Sequence, residues 1–167
     1  IQPVGGVPAK VRGAFSKDCK IVAIPVKNAS ALSDLVILSG IQTVSRIQVF
    51  TVQNFEQASA LASLEKNDSL TNAIKEFAKI QNAIVRYKPT VLRNVRIQNK
   101  LREIISLAPN HLSARLSLEM ATGKGRKTLS LLGSLENTEQ AATLLLEAAR
   151  SGSAIGDALA PDELGKA

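Results

Sequence analysis

The stretch KIVAIPVKNASALSDLVILSGIQTVSRIQVFTV (20–52) decides the fold. Its opening residues, KIVAIP (20–25), are almost wholly apolar and end at a proline, which predicts a short strand. Asn28 or Ser30 can cap the next segment, a helix that includes Leu32, Leu35 and Leu38. Ile47 to Val52 (IQVFTV) is a second run rich in β-branched residues. On the N-terminal side, Ile1 to Gly6 contains Pro3, Gly5 and Gly6 and reads as the tail of a strand entering a tight turn. Pro8 suits the first turn of a helix from about Val7 to Phe15, because its missing N–H would have no partner there. On the C-terminal side, Asn54 caps a helix with Ala58, Leu61 and Leu64 on one side. Residues 1–64 therefore alternate strands and helices, an α/β pattern.

After Glu65 the strands stop. Leu70, Ala73, Ile74, Phe77, Ile80 and Ile84 follow the helical period from Asp68 to Tyr87. Pro89 breaks the pattern. A second amphipathic helix is predicted over about 90–107, with Ile97, Leu101, Ile104 and Ile105 apolar and Arg93, Arg96 and Lys100 on its other side. Pro109 and Asn110 form the next break. Leu112, Leu116 and Met120 begin a third helix, with Gly123 as its C-cap. A short helix over Lys127–Leu135 and a capping-box helix from Asn137 and Gln140 to Gly152 complete the series. The predicted organisation is an α/β (α+β) unit at 1–64, an all-α helical extension at 65–152, and a tail at 153–167 expected to fray.

Composition limits the chemistry. The chain has 167 residues, 45% of them apolar and 21% charged, which is globular composition. One Cys and one His exclude a disulfide framework and argue against a metal centre, and no cofactor is expected. Cys19 reads as a small residue at a strand start, and His111 as a turn or capping residue at a helix start. No apolar run reaches the roughly 18 residues a membrane span needs. The net charge is +7, concentrated in residues 86–127, which hold 10 basic and 2 acidic groups; residues 128–167 hold 2 basic and 6 acidic groups. No aromatics interleave with Arg93, Arg96 and Lys100, so these residues read as a solvated face, or one facing the acidic end, rather than a nucleic-acid surface. GKGRKT (123–128) lacks the P-loop spacing and follows a helix, so it reads as a C-cap and basic turn.

An ordered set of motifs covers about 60 residues: IQPVGGVPAKVRGA (1–14), CKIVAIPVKN (19–28), the pair Leu32–Leu35, and IQVFTVQNFEQASALA (47–62). Together they resemble the C-terminal half of the proteolytic domain of Lon-type, ATP-dependent serine peptidases. The resemblance implies a Ser–Lys dyad in which Lys10 is the general base, with Gly5 and Gly6 as the turn supporting the site. A lysine base must be neutral, and burial is the environment that disfavours an ammonium ion. The family's serine lies in an upstream Gly-Pro-Ser-Ala-Gly type segment, and nothing like it occurs in these residues. Ser16 and Ser30 follow Lys10 and lack the pattern. This chain alone is expected to hydrolyse nothing.

Because the first residue is Ile1, the chain reads as a piece of a longer one. The implied partners are the upstream half of the same domain, unfolded or damaged protein substrates, and further copies in a ring. The family resemblance implies a cytoplasmic setting. Non-peptidase relatives share the fold, so the alternative is a non-catalytic scaffold whose helices bind a partner protein. Pro109-Asn110 with Ala114, Leu118 and Gly123 resembles the first helix of a tetratricopeptide unit, without a second copy at the period of about 34 residues.

Overall fold

The computed structural model describes residues 1–123. In chain order the elements are α1 (Val7–Ser16), β1 (Ile21–Pro25), α2 (Ala29–Ser39), α3 (Gln42–Ser45), β2 (Gln48–Val52), α4 (Phe55–Ala62), α5 (Asp68–Tyr87), α6 (Val95–Leu107) and α7 (Leu112–Thr122). Short 3-10 turns occupy Val26–Asn28 and Pro89–Arg93. The arrangement is mostly helical around a two-stranded parallel sheet, an α+β architecture. The helices expected at 127–135 and 137–152, the tail, and GKGRKT beyond Gly123 lie outside the described residues.

The sheet follows from the two apolar runs. β1 pairs with β2 in parallel from Ile21↔Gln48 to Pro25↔Val52. Parallel strands need a long crossover, and α2 and α3 supply it. All five β2 residues are buried, whereas β1 buries only Ile24 fully. β2 is thus the central element, and even its polar residues Gln48 and Thr51 are buried.

α1 begins where the glycines require it. Gly6 sits at φ 66, in the left-handed region, and the Lys10 N–H closes the first turn onto the Gly6 carbonyl at 3.0 Å. Pro8 lies in the first turn, and Val7, Pro8 and Val11 are buried. The strand expected before this turn does not form. Val4 is held instead by one side chain: its N–H donates to Asn28 Oδ1 at 2.9 Å, and Asn28 Nδ2 donates to the Val4 carbonyl at 2.8 Å. Asn28 therefore makes no capping bond to α2, and Ser30, the other capping candidate, lies within the helix.

α4 is capped by Asn54 as its sequence predicts, and α5 is capped by Asn67, which the sequence reading did not single out. Asn54 accepts from the Gln57 N–H, and Asn67 accepts from the Leu70 N–H. α4 ends at Ala62, so Leu64 falls outside it and is 101% exposed rather than packed. The helix expected from residue 90 starts at Val95, because Pro89–Arg93 tightens into a 3-10 turn and Asn94 caps α6 through the Arg96 N–H. Lys100 is not part of a free basic face: its ammonium joins Glu76 of α5 at 3.4 Å and Glu103 at 2.9 Å.

One core runs through these elements. It includes Val7 and Val11 of α1, Val49 and Phe50 of β2, Phe77 and Ile80 of α5, and Leu101 and Leu116 of α6 and α7. The boundary expected at residue 64 does not interrupt it: Phe50 of β2 and Phe77 of α5 both pack on His111.

Candidate functional site

The predicted site residues lie together at the start of α1. Gly5 and Gly6 form the turn, and a Cβ at either position would meet nothing within 4 Å. The glycine requirement at Gly6 is therefore torsional rather than spatial. Lys10 is exposed on the helix, while Val7 and Val11, three positions before and one after, are buried. No hydroxyl, carboxylate or imidazole among the described residues bonds the Lys10 ammonium. Ser16 donates its hydroxyl to the Gly13 carbonyl at 2.8 Å, and Ser30 is exposed on α2. The structure thus shows the lysine and its turn, with no described nucleophile beside them.

Cys19 is exposed rather than packed at the start of β1. It sits just past the α1 terminus, where Asp18 takes φ 57 and the Cys19 N–H reaches back to the Ala14 carbonyl at 3.1 Å. This bonding is a Schellman-type stop.

The most constrained polar cluster lies at the other edge of β2. The α6–α7 connection seals that edge as a third strand would. The Thr51 N–H donates to the Asn110 carbonyl at 2.9 Å, Asn110 Nδ2 donates to the Thr51 carbonyl at 3.1 Å, and the Val49 N–H donates to Ser113 Oγ at 2.8 Å. His111 bridges to Phe50 in the same run. Its ring is 0% exposed, 4.3 Å from the Phe50 ring centre and 4.6 Å from that of Phe77.

Both nitrogens of His111 are used. Nδ1 accepts the Ala114 N–H at 3.3 Å, which caps α7, so the proton belongs on Nε2, which lies 3.1 Å from Gln48 Oε1. Gln48 Nε2 in turn donates to the Ile74 carbonyl at 3.0 Å and to Gln81 Oε1 at 3.3 Å. Burial pushes the His111 pKa down from 6.5 to about 3, so the ring is neutral over the ordinary pH range. A neutral, fully bonded and fully enclosed imidazole cannot reach a substrate. Its chemistry is structural, in line with the capping duty expected from the sequence.

Among the described residues no group of three His, Cys, Asp or Glu side chains could hold a metal ion, and no helix is long and apolar enough to cross a membrane. No protein-family model matches the chain, and no curated protein or solved structure matches it.

Proposed function

We propose that this chain is the later half of a Lon-like peptidase unit and that it supplies Lys10 as general base to a serine from outside these residues. One observation carries the reading. The left-handed Gly6 turn launches α1 so that Val7 and Val11 anchor it in the core while Lys10 stays exposed. A serine-bearing segment packed over that face would bury the amine and favour its neutral form, as base catalysis requires. The base would take the hydroxyl proton as the oxygen attacks a peptide carbonyl, then return it to the leaving amine. The parallel β1–β2 unit with its helical crossover would be the platform behind the site.

The test is fluorophosphonate labelling of the longest natural form of the protein, with and without Lys10→Ala. Labelling that depends on Lys10 supports the reading. An unlabelled full-length protein would rule it out and leave the second reading, a non-catalytic scaffold with a helical protein-interaction module. That second reading is favoured by the unbroken core from α1 to α7, which makes the helices part of one body.

A further inference from the structure

A basic corner forms where α5 turns into α6. The sequence has no acidic residue between Glu76 and Glu103. Lys79 and Lys100 are drawn to those two carboxylates. Arg86, Lys88, Arg93 and Arg96 make no ion pair among the described residues, and all four are exposed. Val85, Tyr87 and Val95, each next to one of them in sequence, are also exposed.

A cavity of about 190 Å³ opens at this corner, between α3 and the end of α5. Arg46 and Lys88 are the two basic residues of its lining, with the Arg46 guanidinium over the Phe15 ring, Gln42 and Ser45 are neutral and polar, and no lining residue is acidic. Ile84, Val85 and Pro89 form the apolar wall.

Lys88 carries a second signal. It sits at φ 65 and ψ 171, a region that strains a non-glycine residue. Pro89 disfavours helical ψ at the preceding residue, and the chain leaves α5 there with positive φ. Glycine would fit without strain, yet a lysine stands there, and it is one of the residues that line the cavity. Strain of this kind concentrates at ligand sites.

We propose that the Arg46–Lys88 cavity is a docking site for an acidic peptide segment of a partner protein. One carboxylate binds between Arg46 and Lys88, and a neighbouring aliphatic side chain packs on Ile84, Val85 and Pro89. Arg86, Arg93 and Arg96 extend the field to further acidic residues. A nucleic acid fits less well, because the available aromatic faces are taken: Arg86 lies 5.3 Å from the Tyr87 ring centre and Arg46 lies 5.7 Å from that of Phe15.

Fluorescence anisotropy of the full chain with a short labelled peptide alternating Glu and Leu tests this at low salt. The peptide is expected to bind, and Arg46→Gln with Lys88→Gln is expected to weaken it about tenfold. Lys88→Gly removes the charge and relieves the strain, so it should bind more weakly while raising Tm. That separates lost recognition from lost folding. The proposal is overturned if the peptide does not bind, if an alternating Lys and Leu peptide binds as well, if these variants bind unchanged, or if single-stranded DNA or phosphatidylserine vesicles bind more tightly.

Discussion

Asn110 closes the outer edge of β2 by engaging both backbone groups of Thr51, accepting the N–H through its own carbonyl and donating from Nδ2 to the carbonyl. The residue acts as a one-residue strand. Asn110→Ala keeps the first bond and removes the second, leaving the Thr51 carbonyl without its side-chain donor. An acceptor left unsatisfied in a partly buried setting costs about 1–3 kcal/mol. Urea unfolding should show a lower midpoint with an unchanged m-value. A midpoint equal to that of the parent would show that the seal contributes nothing.

His111 makes the fold acid-sensitive. Its folded pKa of about 3 lies below its ordinary 6.5, so the folded state refuses a proton that the unfolded chain accepts. Its contribution to stability is whole above pH 6.5 and falls as pH drops from there toward 3, by about 1.4 kcal/mol per unit. Protonation also turns Nδ1 into a donor, which ends its bond from the Ala114 N–H. His111→Asn can still cap α7 but does not titrate. Its stability deficit relative to the parent should shrink by about 3 kcal/mol between pH 7.5 and 4.5 in denaturant titrations. Parallel pH profiles for the two proteins would sink this account.

The contrast between these clusters and the helices shows what sequence can reveal. α5 is legible because Leu70, Ala73, Phe77, Ile80 and Ile84 repeat at the helical period and Asn67 and Pro89 bracket them. β1 is legible as an apolar run ended by Pro25, and β2 as a run rich in β-branched residues ended by the polar residues after Val52. The seal on β2 is not, because its parts lie about 60 residues apart and each has a bland local reading: Asn110 as a break, Ser113 as a helix residue, Gln48 as a polar residue in a strand. For the same reason the helices read as an extension, although they share one core with the strand. The cavity was hidden too. Arg46 and Lys88 are distant in sequence, and the lysine's positive φ leaves no compositional trace. Lys10 was visible only through the motif order around it.

Asn28 replaces a strand for the first residues, since it alone bonds both backbone groups of Val4. Asn28→Asp retains the acceptor for the Val4 N–H but sets a carboxylate oxygen against the Val4 carbonyl. The segment 1–6 should detach while α1 and the sheet persist. Limited proteolysis should then clip this segment faster, and hydrogen exchange at the Val4 amide should accelerate, with little change in helical circular dichroism. Protection at Val4 equal to the parent's would show that another contact holds the segment.

Lys10 offers the sharpest separation of function from folding. Its side chain is exposed on α1 between the buried Val7 and Val11. Alanine is a better helix former, so Lys10→Ala should leave stability within about 0.5 kcal/mol. Val11→Ala, by contrast, should cost roughly 1–3 kcal/mol through lost burial. In a form of the protein that carries the serine, Lys10→Ala should abolish fluorophosphonate labelling at unchanged Tm. Lys10→Arg should fail equally, because a guanidinium keeps its proton and cannot act as the base. Full labelling in the arginine variant would show that the position contributes only positive charge, and the base assignment would have to be given up.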